Sequence, residues 1–160
     1  MRVRRIAILA GAAVLTAGIG TVAPAAGASS PAESVTARVS SGPFTVQIQA
    51  QRAANAPATA ATGTFSAHGT IAGITLFSVA GPVTCLDVRG NRMGLFYPIT
   101  SSVPALFAQL HSGVFVTVQV SAAGRPLLLS FQPSPMSHAS SCPPGLALLP
   151  ITSGTAALTP

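Results

Sequence analysis

The sequence predicts an all-β fold: a single antiparallel β-barrel or sandwich of about seven to nine short strands, pinned by one disulfide. Three observations carry that expectation. Apolar and polar residues alternate with a period of two, most cleanly in Phe44-Thr45-Val46-Gln47-Ile48-Gln49 and from Val114 to Val120. Turn signals rich in Gly and Pro recur about every ten residues, the spacing of all-β domains. Finally, Val83 to Tyr97 reads as two strands joined by Gly90-Asn91, a pair that supplies the positive φ a tight hairpin turn needs.

That hairpin organises the rest. With a two-residue loop, Val88 faces Met93 and Leu86 faces Leu95 on one side of the ribbon. Asp87 faces Gly94 and Cys85 faces Phe96 on the other. Gly94 is expected to leave Asp87 beside open space, with Arg89 and Arg92 in reach. An ion pair on the surface is the simplest reading of that acid.

The chain divides into residues 1–28, a signal peptide; 29–61, a flexible lead-in with one strand and an Ala-rich loop; and 62–160, the β-domain. Arg2, Arg4 and Arg5 precede an apolar stretch, Ile6 to Val22, and Ala26-Gly27-Ala28 is a small-residue cleavage site. A stretch of roughly 17 residues is at the lower edge of spanning length. Its glycines and the cleavage site favour an excised export signal over an anchor, and no cysteine follows for lipidation. The expectation is a secreted chain with no transmembrane segment once processed.

Ser29 to Ser41, mixed in Ser, Ala and Pro, reads as the loose lead-in. Phe44, Val46 and Ile48 mark one face of the first strand, with Thr45, Gln47 and Gln49 solvated opposite. Arg52 to Ala61 has no large apolar side chain and reads as a loop. Thr62 to Thr70 is a strand broken at Gly63 and Gly69. Gly73 to Ala80 is another, Ile74 and Leu76 opposed to Thr75, Phe77 and Val79, and Gly81-Pro82 marks an edge or bend. Pro104 to His111 suits two turns of helix with Pro104 at the first position. Gly113 to Ser121 returns to a strand, and Ala122 to Arg125 is a turn. Pro126 to Gln132 follows, its three leucines suggesting burial on both faces. Pro133 to Pro144 is a loop carrying Cys142; Leu146 to Ile151 and Gly154 to Leu158 close the domain.

Without residues 1–28, five arginines face Glu33 and Asp87, a net charge of +3 instead of +6. There is no lysine and no arginine run, so the electrostatic footprint of nucleic-acid binding is missing. The two cysteines of an exported chain most simply form one disulfide, Cys85 to Cys142. A metal held by two free thiols would need histidines at close spacing, and none stand there.

The run Val83-Thr84-Cys85-Leu86-x-Val88-x-Gly90-Asn91 resembles the signature of an uncharacterised family of small secreted β-proteins common in actinobacteria. As in that family, a strand rich in Val and Phe follows (Gly113 to Val118), then a second cysteine in a Pro-rich loop, then Pro150-Ile151-x-x-Gly154. The likeness runs from about Gly63 to the C-terminus. It implies the β architecture and export, and it supplies no mechanism. Members usually carry an acidic Asp-Asn-Gly turn after the Val-rich strand, where this chain has Ser121-Ala122-Ala123-Gly124-Arg125. A cation or partner bound through such an acidic turn is not expected here.

Catalysis needs a group that exchanges a proton near a reacting atom. Glu33, Asp87, His68, His111 and His138 are the candidates. Glu33 falls in the lead-in, and the histidines are spread over three segments. No Gly-x-Ser-x-Gly elbow occurs. A non-enzymatic protein without catalytic residue, cofactor or metal site is therefore expected, acting by contact with a protein or envelope component. The alternative is a small extracellular barrel that binds an apolar ligand, suggested by an excess of Leu, Val and Phe over what one sheet face needs. A secreted hydrolase stands third. A core filled by Phe77, Leu86, Val116 and Leu128 would exclude the ligand.

Overall fold

The computed structural model describes residues 31–160; the expected signal peptide, residues 1–28, lies outside them. The strands are β1 (Pro31–Ser41), β2 (Phe44–Ala53), β3 (Thr62–Ile71), β4 (Ile74–Pro82), β5 (Cys85–Arg89), β6 (Arg92–Pro98), β7 (Ser101–Val103), β8 (Gly113–Val120), β9 (Pro126–Ser134), β10 (Leu149–Pro150) and β11 (Ser153–Thr159). One short helix, α1 (Ala105–Leu110), sits between β7 and β8. The strands form two antiparallel sheets, ordered β11-β1-β2-β3-β4-β7 and β10-β9-β8-β6-β5. Two separate sheets packed face to face make a sandwich, not a barrel.

Residues 31–41 correct the reading of a loose lead-in. They form β1, which pairs with β2 on one side and with β11 on the other. Val35, Ala37 and Val39 are buried, while Thr36 and Arg38 alternate outward. The alternation is present in the sequence, but its small side chains bury enough surface only because a second strand arrives from the other end of the chain. The expected boundary at residue 62 therefore cuts through one continuous sheet, since β2 pairs with β3 from Phe44↔Gly69 to Gln51↔Thr62.

The β5–β6 hairpin has the register expected from its turn: Cys85↔Phe96, Leu86↔Leu95, Asp87↔Gly94 and Val88↔Met93. Gly90 adopts φ +60°. Asn91 ties the turn to β8, its side-chain amide donating to the Val120 carbonyl at 2.9 Å. Leu86, Met93 and Leu95 face the first sheet and are fully buried. Burial of each such side chain stabilises the fold by about 1.5–3 kcal/mol.

The outer face of the second sheet is covered by the loop after β9. Cys142 on that loop is bonded to Cys85 across 57 residues, with Cα atoms 6.1 Å apart. Cross-linking a loop of that length stabilises by about 4 kcal/mol in the chain-entropy account. The loop also corrects the expected space over Gly94. A Cβ there would lie 2.2 Å from the Cys142 carbonyl oxygen, so glycine admits the loop backbone against β6. The Gly145 amide then donates to Thr117 Oγ1 at 2.9 Å.

Two smaller corrections concern the ends of elements. Pro104 is the N-cap of α1, one place before its first residue. Of the three leucines, only Leu129 is buried, because its pairing with Val118 sets it on the inner face; Leu127 and Leu128 do not join the core.

Candidate functional site

The residues first considered for chemistry are not brought together. Asp87 and Arg89 form an exposed ion pair at 2.7 Å. The Asp87 carboxylate holds the Arg89 guanidinium above its ordinary pKa, mainly through that hydrogen bond. Arg92 turns away to Gln119, donating to its Oε1 at 3.3 Å. His68 lies on β3 between Thr45 and Ser78. His111 ends α1 beside the Phe107 ring, and His138 is exposed on the loop before Cys142. Among the described residues no three His, Cys, Asp or Glu side chains cluster as a metal site.

Glu33, assigned to the lead-in by its sequence surroundings, is buried. Its carboxylate accepts from Arg52 on β2 and from the Val88 amide of β5 at 3.0 Å. One side chain thus joins the two sheets at the end where β2 finishes and the β5–β6 turn lies. No local pattern announces this, because Val88 is 55 residues away along the chain.

At the opposite end the sheets are not filled. Between them lies a cavity of about 450 Å³, lined by Phe44, Ala67, Phe77, Val79, Tyr97, Phe107, Val114, Phe131, Pro133 and Leu149. Its walls come from β2, β3 and β4 on one side and from β6, β8, β9 and β10 on the other, with α1 contributing Phe107. Phe44 and Leu149 are about 40 % exposed and mark where it reaches solvent. The aromatic rings brace one another. Phe77 meets Phe44 and Phe107 edge-on, with centroids 6.3 and 5.2 Å apart. Tyr97 stacks on Phe65 at 4.1 Å, and Phe131 meets Phe65 edge-on at 6.2 Å. Such pairs hold a wall in shape beyond what burial alone provides.

Of the four residues whose packing would have excluded a ligand, Leu86 and Val116 do fill the core. Phe77 instead lines the cavity, and Leu128 lies outside the core. The lining spans Phe44 to Leu149 and draws on eight elements, so the sequence shows its ingredients, an excess of large apolar residues, without its shape.

No family model matches the chain, and neither a curated protein nor a solved structure is found to be similar to it. No helix among the described residues is long and apolar enough to cross a membrane.

Proposed function

We propose that this is a non-catalytic extracellular binding domain that holds a small apolar molecule between its two sheets. The cavity carries the reading. A volume of about 450 Å³ falls within the range of small-molecule sites, which are concave, mostly apolar and largely preformed. Export is supported by the Arg-rich, apolar start of the sequence and by the Cys85–Cys142 bond, of a kind that persists in oxidising compartments. The disulfide, the Gly90-Asn91 turn and the Glu33 contact are assigned to the scaffold.

The test uses N-phenyl-naphthylamine, a neutral apolar fluorophore that brightens on leaving water. Saturable binding with one site per chain is expected. Val79→Phe, and separately Val114→Phe, should fill the space and abolish it while the thermal transition remains cooperative. A wild-type protein that gives no saturable signal would remove the reading.

A second reading, contact with a protein or envelope component, has one observation of its own. Ile71, Ile74 and Leu76 at the β3–β4 turn and Leu106 and Leu110 on α1 are all more than half exposed. Large apolar side chains exposed in number are a mark of interaction surfaces.

A further inference from the structure

Two apolar protrusions stand at the end of the sandwich that the charges leave empty. The first is the β3–β4 turn, where Ala72 and Gly73 both adopt positive φ, 50° and 80°. Those dihedrals make a tight two-residue connection and set Ile71 directly opposite Ile74. Such a turn favours Asn, Asp or Gly at its first place. Alanine there is costly, and it keeps the whole tip apolar. The Thr70 amide donates to the Pro43 carbonyl of the β1–β2 turn at 3.0 Å. Residues 71–74 lie beyond that bond, and both isoleucines are more than half exposed.

The second protrusion is α1. Its Phe107 lines the cavity and meets Phe77 edge-on. Leu106 and Leu110, four residues apart on one side of the helix, are more than half exposed. Both protrusions flank the same strand. The turn stands at the start of β4, and α1 packs against Phe77, three residues further along it.

Neither protrusion carries a charge. Residues 69–77 and 98–113 contain no acid, arginine or lysine, and His111 is their one ionisable side chain. Glu33, Arg52, Asp87, Arg89, Arg92 and Arg125 all lie toward the opposite end, by the β5–β6 and β8–β9 turns. Arg38, the remaining charge of the described residues, sits on the outer face of β1. A protein interface is commonly anchored by Arg, Tyr or Trp and rimmed by polar contacts. None of those three residue types occurs in either segment. Uncharged apolar tips instead suit the hydrocarbon boundary of a lipid surface, which they enter without stripping water from a charge.

We propose that this end of the domain docks on a lipid surface, with the Ile71–Ile74 tip and the Leu106–Leu110 side of α1 entering the headgroup boundary. Neutral lipid suffices, since no cation stands there to meet a phosphate. The proposal deepens the contact reading by naming the partner, and it does not depend on what the cavity holds.

The chain has no tryptophan, so a single introduced one reports its own surroundings. Ile74→Trp and Leu106→Trp probe the two protrusions, and Ala123→Trp, in the exposed β8–β9 turn, probes the opposite end. Each protein, recovered from the culture medium, is mixed with phosphatidylcholine vesicles whose acyl chains carry bromine as a contact quencher. Quenching with a blue shift is expected for the first two and neither change for the third. Ile74→Glu should weaken cosedimentation with the vesicles by about tenfold, the contribution of one large apolar side chain, while Ile74→Leu keeps it. Ile74 is exposed, so both variants should melt as the wild type does. Binding should be no weaker at about 1 M salt, where the screening length is about 3 Å.

Equal quenching at all three reporters, or binding indifferent to Ile74→Glu, would overturn the proposal. So would binding that requires anionic lipid and disappears in salt, which would assign it to the arginines. If vesicles fail and a photo-crosslinker in place of Leu106 captures one envelope protein, the lipid proposal falls and the contact reading stands. Failure of both would remove the contact reading as well.

Discussion

The two ends of the sandwich solve the same problem in opposite ways. At the end beside the β5–β6 turn, polar groups close the gap between the sheets. Glu33 receives Arg52 from its own sheet and the Val88 amide from the other, and Asn91 fastens the turn to Val120. Leu86, Met93 and Val118 fill the space beneath without remaining exposure. At the other end the walls are aromatic and the space between them is open. A domain that needed only stability would close both ends alike. The contrast separates a scaffold end, closed by polar contacts between the sheets, from the proposed receiving end, left open between aromatic walls.

The strongest way to break the scaffold end is Glu33→Ala. Removing one partner of a largely buried pair leaves the Arg52 guanidinium and the Val88 amide without their acceptor. A loss of about 3 kcal/mol is expected, read as a shift of the urea midpoint with little change in slope. Fluorophore affinity under native conditions should stay within about twofold if the ends are independent, since additivity holds for distant sites. A large change in affinity would show that the clamp and the cavity are coupled.

The receiving end responds to alkali. The Tyr97 phenol is raised in the folded protein, whereas in the unfolded chain it ionises near pH 10. Above that pH the unfolded state binds fewer protons than the folded one, so stability falls as pH rises. The loss continues until the folded phenol ionises as well. The slope should approach about 1.4 kcal/mol per pH unit and vanish in Tyr97→Phe. With one tyrosine and no tryptophan, phenolate absorbance reports the step directly.

Asp87→Asn should have the smallest effect, less than about 1 kcal/mol, because its partner Arg89 is exposed. Thermal melting checks the stability, and an esterase and peptidase panel checks that no turnover disappears with the carboxylate. A robust parental activity lost in this variant would return Asp87 to the candidate catalytic groups.

What was legible in the sequence was local. The Gly90-Asn91 turn dictated the register from Cys85↔Phe96 to Val88↔Met93, because a two-residue loop leaves no freedom in the pairing. The Val-rich face of β8 followed from alternation, as did the setting of Ile74 and Leu76 opposite Phe77 and Val79, but not which of those two faces is outward. What was missed depended on partners far along the chain. β1 looked loose because Val35, Ala37 and Val39 are small and their cover comes from β11. Glu33 looked idle because the amide it binds belongs to the other sheet. Gly94 looked like open space because the covering loop lies about fifty residues later, held by Cys142. The Leu127–Leu129 run has no alternation of its own, so only the pairing with β8 decides which leucine is inside.

The pairing of β1 with β11 also constrains how the molecule assembles. Ser34 lies opposite Thr159, so this contact bridges nearly the whole described chain. β1 can pair with β2 early, since only Gly42 and Pro43 separate them. Its other edge then stays uncovered until the C-terminal segment arrives, and long-range strand pairing forms slowly. During that interval the uncovered edge is a template for another copy's β11. Refolding yield should therefore fall with rising protein concentration, and a chain released before residue 153 would keep β1 as a permanent free edge.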